Sequence, residues 1–410
     1  MKQKLLVLDV DDTLLNDKQE ITSPTLAALF MIQQMGIRVA LASGRATHGL
    51  RPLAAAIELD RYGGFVMSYN GGQIINMQTG ELLFERRIDP QSIPYIESVA
   101  RKNGFTIFTY RDDTLIASDA SNEHVRREAA RNDMRIIEAA DFAAFLDFAP
   151  CKCMMTSDNH EALATLERRL KLRLDGSLDV FCSEPYFLEI VPPQVNKADT
   201  LGALMSKLNV EPEEVIAIGN GVCDIGMIQM AGLGIAMDNA DERVKRCADF
   251  TTASNNDDGV ARAIEEHIIA GISPSDIPLD EMNLSGRHSL TGNLGIQYTY
   301  ADEGRIEATM PVDERTRQPF GILHGGATLA LAETVAGFGS MILCRPDEMM
   351  VGMQVSGNHV SSAREGDTVR AVATVIHRGR SSHVWNVDVF TSTDKLVSTV
   401  RVVNSILKKR

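Results

Sequence analysis

The chain has 410 residues, enough for two or three domains. With 44% hydrophobic and 23% charged residues it reads as soluble and globular, which excludes a disordered chain. A formal net charge of -14 argues against nucleic-acid binding, because a phosphate backbone needs a basic face; small phosphorylated substrates stay open.

The N-terminal apolar run is short and ends in acids, so it is not a signal peptide. The six cysteines form no CxxC pair and suit reduced thiols in a cytoplasmic protein. From residue 1 to about 270, buried-strand patterns alternate with helical ones. "KLLVLDV", "IRVALAS" and "EVIAIGN" are the strands; "SPTLAALFMIQQMG" and "NKADTLGALMSKLN" are helices between them. This is a parallel sheet with crossover helices, in which ligands bind beyond the carboxyl ends of the strands. Residues of roughly 84–187, with "FTIFTYRDDTLIAS" and "EALATLERRLKL", fit that pattern poorly and read as an inserted α+β unit.

The first strand ends in "DVDD". On a strand, i and i+2 point the same way, so Asp9 and Asp11 can converge on one site. A divalent cation would neutralise them, and oxygen ligands suit Mg2+. One carboxylate could then attack phosphorus while the other manages the leaving-group proton. The plain alternative is a solvated acidic turn.

"LDVDDTLL" resembles the first motif of the haloacid dehalogenase (HAD) phosphatases, with Asp12 in the place of a glycine. "LASGR" resembles the second motif, "SYNGGQI" the Asn-Gly substrate loop of the Cof-type subgroup, and "LEIVPPQVNKADTL" its motif-three lysine region. "TASNNDDGVARAIE" is similar to the subgroup's C-terminal signature. The resemblance implies a Rossmann-like core, 1–83 and 188–272, with a cap over 84–187. It implies Asp9 as the nucleophile forming an aspartyl-phosphate and Asp11 as general acid and base. Lys197 and Ser43 would hold the phosphoryl group, and Gly44, Arg45, Asn70 and Gly71 would bind substrate. Mg2+ would sit on Asp9, Asp11, Asp224 and Asn220. The fourth motif departs from the family's Gly-Asp-x-x-Asn-Asp: here it is "GNGVCD", so one negative charge is lost at Asn220 and Cys223 replaces an asparagine. Sulfur is a poor partner for magnesium, so weakened metal binding and slow turnover are expected. A HAD unit kept only to bind a ligand or serve as a scaffold is the other reading.

"SPSDIPLDEM", residues 273–282, reads as a linker. Beyond it, "RIEATMPV", "TVRAVATVIHR", "HVWNVDVFTS" and "KLVSTVRVVNSIL" are strand-like, and one long apolar helix, roughly 325–343, precedes most of them. Residues 325–344 imitate a membrane span, but the stretch is rich in small residues and Glu333 would be costly in lipid; a core helix is the better reading. In "QPFGILHGGATLALAET", Gly325 and Gly326 open the helix, where free N–H groups could polarise a carbonyl oxygen. Glu333 could attack a thioester carbonyl or activate water. Eight helical positions span roughly 12 Å, so Gly325 and Glu333 should serve one carbonyl only from different subunits, at a dimer interface. Alternatively Glu333 snorkels to a surface and the glycines only cap packing.

Residues 283–410 resemble the hotdog-fold acyl-CoA thioesterases, especially the branch acting on aromatic acyl-CoA, including 1,4-dihydroxy-2-naphthoyl-CoA in menaquinone synthesis. "GNHVSSAREGD" and "SHVWNVDVF" carry this match with the stretch above. By resemblance, Glu333 is nucleophile or general base, Gly325 gives the oxyanion N–H, Gln318 and His324 flank the thioester, His359 lies in the substrate site and Arg380 meets nucleotide phosphate. Gly337 stands where the branch can carry a serine, and Ser361 where a relative can carry a basic residue. The expectation is an α/β Rossmann-like HAD core with an inserted α+β cap, then an α+β hotdog domain with an antiparallel sheet around a central helix. The chain would be a bifunctional hydrolase acting on a phosphate ester and an acyl-CoA, with no nucleic-acid or membrane partner, assembled as a tetramer through the hotdog part. A non-catalytic interaction protein is the distant rival.

Overall fold

The computed structural model describes residues 4–174, 176–269, 279–286, 289–345 and 348–408. By contacts the chain divides into two compact units. One joins the segment ending at Thr22 to Arg38–Val260; the other joins Ser23–Ile37 to the segment starting at Ala261. The contact division falls between Val260 and Ala261, near the expected boundary at 272. Of the expected linker, 273–278 lies outside the described residues, and the remainder falls in a helix, Leu279–Ser285.

In the first unit an eight-stranded sheet runs Phe250–Thr251, Leu233–Ala236, Val215–Gly219, Leu5–Asp9, Arg38–Ala42, Phe65–Ser68, Gln73–Asn76, Leu82–Glu85. Its first six strands are parallel, and the last two fold back as antiparallel strands. Leu5–Asp9 is buried at every position, as a central strand covered on both faces must be. It ends in a tight turn, Val10–Leu14, where Asp12 has φ 56 and ψ 16. That left-handed conformation suits glycine but is tolerated by aspartate, so Asp12 can replace the glycine of the motif. The helix expected at "NKADTLGALMSKLN" is Lys197–Leu208, capped by Asn196, whose Oδ1 accepts from the Asp199 N–H at 2.9 Å.

The inserted cap is a six-stranded sheet in the order Asp179–Glu184, Phe187–Val191, Cys153–Thr156, Thr106–Arg111, Thr114–Ala117, Arg135–Glu138. Side chains alternate across it. Ile107, Ile116, Met155 and Ile190 join one buried cluster; Phe108, Leu115, Met154 and Phe187 join the other. The cap limits of 84–187 need correcting at both ends. Leu82–Glu85 pairs with Gln73–Asn76 in the core sheet, and Phe187–Val191 pairs inside the cap sheet. A strand's sheet is set by its pairing partners, and those are not readable from its own composition.

The second unit holds a six-stranded antiparallel sheet: Gln297–Ala301, Arg305–Pro311, Thr368–Arg378, Ser382–Phe390, Leu396–Lys408, Glu348–His359. It wraps the helix Gly325–Leu343, as expected for a hotdog domain. That helix is the apolar stretch that passes for a membrane span by length and hydropathy; Leu331, Ala332, Val335 and Ala336 are buried in the core of this unit. Its glycines admit large neighbours. Trp385 is fully buried, donates from Nε1 to Ser340 Oγ at 2.8 Å, and lies directly on Gly339. A methyl group on Gly339 would fall inside contact distance of the Trp385 ring. Gly339→Ala should destabilise this unit by ~1–3 kcal/mol through overpacking, read as a lowered melting transition in calorimetry.

Candidate active sites

Three charged groups meet at the end of the Leu5–Asp9 strand. Lys197, the first residue of its helix and only 2% exposed, donates from Nζ to Asp9 Oδ1 and to Asp224 Oδ1, each at 2.6 Å. Asp224 is fully buried, and its Oδ2 accepts from the N–H groups of Asn220 and Gly221 at 3.1 and 2.9 Å. Burial, and then the charge of Asp224, push the Asp9 carboxyl up to about 7, against the pull of Lys197. Burial alone would discharge Lys197; the Asp224 and Asp9 carboxylates outweigh it and hold the ammonium charged.

Asp11 takes different partners. Arg45 Nη2 reaches Asp11 Oδ1 at 2.6 Å with Nε at 3.2 Å, and Arg131 Nη2 reaches the same oxygen at 2.7 Å. Burial would raise the Asp11 carboxyl, but the guanidiniums overcome it and hold it below the usual carboxylate range. Arg131 ends the cap helix Glu123–Arg131 and was not anticipated; it lies in the cap, where no motif points to it.

The residues expected to hold phosphate and substrate, Ser43, Gly44, Arg45, Asn70 and Gly71 (the expected phosphate loop being 43–45), are each fixed by neighbours. Ser43 is buried, and its Oγ accepts from the Arg45 N–H at 3.1 Å. The Gly44 carbonyl accepts from Lys152 Nζ at 2.9 Å. Asn70 Nδ2 donates to Glu189 Oε2 at 3.0 Å, and Glu189 pairs with Lys152 at 3.1 Å. Gly71 has φ 101 and no room for a side chain beside Thr200 and Asn196. Lys152 and Glu189, like Arg131, are cap residues that sequence reasoning missed.

In the second unit, His324 caps the helix: its Nδ1 accepts from the Gly326 N–H at 2.9 Å. Gly325 is required by close approach, since a Cβ there would stand 2.7 Å from His359 Nε2. The other ring nitrogen of His359 is 2.5 Å from Ser398 Oγ. Gln318 lies in the loop before the helix, where its N–H donates to the Ile322 carbonyl at 2.9 Å. Glu333 sits eight residues past Gly325 on the same unbroken helix, exposed in the single chain, with Oε1 against Gly352 of the edge strand Glu348–His359. Arg380 is exposed in a hairpin turn. At Gly337, where the branch can carry a serine, a Cβ would stand 2.7 Å from the end of the Met350 side chain.

A profile described as haloacid dehalogenase-like hydrolase matches residues 6–264, and one described as the thioesterase superfamily matches 320–398. The chain belongs to the haloacid dehalogenase-like hydrolases, joined to a member of the thioesterase superfamily. Its thioesterase part is 38% identical over 131 residues to the 1,4-dihydroxy-2-naphthoyl-CoA hydrolase of Escherichia coli, covering 32% of this chain and 96% of that one. Its phosphatase part is similar to a crystal structure of a haloacid dehalogenase-like hydrolase from Bacteroides thetaiotaomicron, with 44% identity and a TM-score of 0.62 over 64% of this chain and 99% of that one. A Thermotoga maritima crystal structure matches at 28% identity and a TM-score of 0.57, covering 64% and 97% of the two chains. The two halves are thus hydrolase domains of unrelated fold.

Of the four expected Mg2+ ligands, Asp9, Asp224 and Asn220 gather around Lys197, but their side chains, like that of Asp11, are engaged by protein partners. Asp224 is spent on Lys197 and two backbone N–H groups, and Asp11 is held by two guanidiniums. Asn220 Oδ1 accepts from Thr13 Oγ1 at 3.2 Å. Cys223 is exposed, and its thiol donates to Asp224 at 3.7 Å. Among the described residues, no group of three or more His, Cys, Asp or Glu side chains is placed to hold a metal ion. The side chains present therefore do not fit the ligand set that the resemblance implies. Oxygen sites tighten with ligand charge, so Asn220→Asp combined with Cys223→Asn should bind Mg2+ at least about tenfold more tightly than the native chain, as measured by calorimetric titration.

Proposed function

We propose that the thioesterase part hydrolyses an aromatic acyl-CoA thioester of the 1,4-dihydroxy-2-naphthoyl-CoA type, as used in menaquinone synthesis. The observation that carries this reading is the helix Gly325–Leu343, with a free N–H at a start cleared by Gly325 and a carboxylate at Glu333. The Gly325 N–H stabilises the oxyanion while Glu333 activates water or attacks the carbonyl itself. The C–S bond then breaks, and the thiolate leaves past Gln318 and His324. His359 borders the same helix start, and Arg380 takes a nucleotide phosphate.

Two chains build each site. Glu333 and the Gly325 N–H of one helix are roughly 12 Å apart, too far to serve one carbonyl. The edge strand Glu348–His359 is twelve residues long and exposes Met349, Val351 and Met353. Such an edge calls for a cover, and a second copy pairing along it places one chain's Glu333 beside the other's helix start. Dimers of dimers give a tetramer. Glu333→Gln should lower thioester turnover by about 10²–10⁴-fold with folding intact by circular dichroism. Co-expressing Glu333→Gln with Gly325→Ala should recover activity that neither variant has alone, because mixed dimers contain one site with neither change. No recovery would refute the shared site.

The phosphatase part acts on a small phosphate monoester. Asp9 attacks phosphorus, the P–O bond to the ester oxygen breaks as Asp11 gives that oxygen a proton, and water activated by Asp11 then cleaves the aspartyl-phosphate to free phosphate and restore Asp9; Lys197 and Ser43 hold the phosphoryl oxygens, with Gly44, Arg45, Asn70 and Gly71 around the substrate. The nucleophile is the ionised carboxylate, and Asp9 is pushed up to about 7. Phosphate release should therefore fall as pH drops below about 7, and Asp9→Asn should abolish it, both followed with p-nitrophenyl phosphate. A second reading, a unit that binds a phosphate ester without turning it over, is favoured by Asn220, Cys223 and the engagement of Asp11. Ester binding that survives Asp9→Asn, with no release by either protein, would support it.

A further inference from the structure

A cavity of about 320 Å3 lies in the phosphatase part. Its volume falls in the range of small-molecule sites. Neither Asp9, Asp11, Ser43, Lys197 nor Asp224 lines it. Three rings form apolar wall: Tyr69, Tyr110 and Phe148. Tyr69 and Tyr110 are both buried, with centroids 5.8 Å apart and planes tilted by 51°.

Most of its charged lining is already committed. Arg87 pairs with Glu85 at 2.6 Å, Arg111 with Asp147 at 2.7 Å, Asp113 with Arg135 at 2.8 Å, and Lys152 with Glu189 at 3.1 Å. His48 and Arg51 differ. Three positions apart on the helix Thr47–Ala56, they share a face, and both line the cavity. Among the described residues neither side chain has an ion-pair or hydrogen-bond partner. A ligand here meets aromatic walls and two free donors. Glu85, Asp112 and Asp113 also line the cavity, and their charge makes a dianionic phosphate costlier than a monoanion.

We propose that this cavity is a binding site for a planar aromatic carboxylate, its ring against Tyr69, Tyr110 and Phe148 and its carboxylate on Arg51 and His48. Occupancy reaches the phosphatase centre through the lining itself. Lys152 donates to the Gly44 carbonyl at 2.9 Å, one residue from Ser43, so a ligand in the cavity bears on the phosphate loop. An aromatic acid is also the class of product that the thioesterase reading yields, but the site rests on its own lining and stands without that reading.

The probe is 2-naphthoate, titrated calorimetrically into the full chain and into Arg51→Gln and His48→Gln. Arg51 is exposed, so its variant should keep the native circular dichroism and melting curve. Losing a hydrogen bond to a charged group should weaken one class of 2-naphthoate sites by about tenfold or more in Arg51→Gln. Phenyl phosphate binding should be unchanged by that variant. A soaked crystal should show the naphthoate between Tyr69 and Phe148. An isotherm identical in native and Arg51→Gln protein would put the probe elsewhere, the thioesterase site included, and would overturn the proposal. Absence of saturable binding at millimolar 2-naphthoate would overturn it equally.

Discussion

The phosphatase part is organised around one ammonium group shared by two buried carboxylates. Lys197, Asp9 and Asp224 come from three distant segments of the chain, and each would be costly alone in a dry site. Held together they leave one net negative charge, and burial, then the charge of Asp224, lifts the Asp9 carboxyl above ordinary ones. Breaking a buried pair by removing one partner typically costs about 3–5 kcal/mol, so fold and chemistry share this contact. It also explains why Asp224 persists in the altered fourth motif. Its Oδ2 closes the loop on the Asn220 and Gly221 N–H groups, a structural duty independent of any ion.

Around that centre the cap adds positive charge to that of Lys197 and Arg45 in the core. Arg131 joins Arg45 on Asp11, and Lys152 joins Glu189 and the Gly44 carbonyl. These contacts link cap to core at the phosphate loop.

The thioesterase part follows another constraint: a helix must pass through the curl of a sheet. Small residues make that possible, with Trp385 on Gly339, Met350 on Gly337 and His359 on Gly325. Glu333 is the one charge on an otherwise apolar helix, and it emerges at the edge strand rather than in the core.

Alternation of apolar runs with helical patterns in the first 270 residues, and of antiparallel strands around one helix in the last 130 or so, made both fold classes legible. Local spacing and motif order single out Asp9, Lys197, Gly325 and Glu333 as candidates, and the structure joins the first two at 2.6 Å. The tertiary structure alone decided that Asp11 turns from Asp9 toward two arginines, and that Leu82–Glu85 joins the core sheet and Phe187–Val191 the cap sheet. It alone brought Arg131, Lys152 and Glu189 to the phosphate loop. The physical reason is range: strand period and helix caps act over a few residues, whereas ion pairing in a dry site depends on charges that come close only once distant segments have packed.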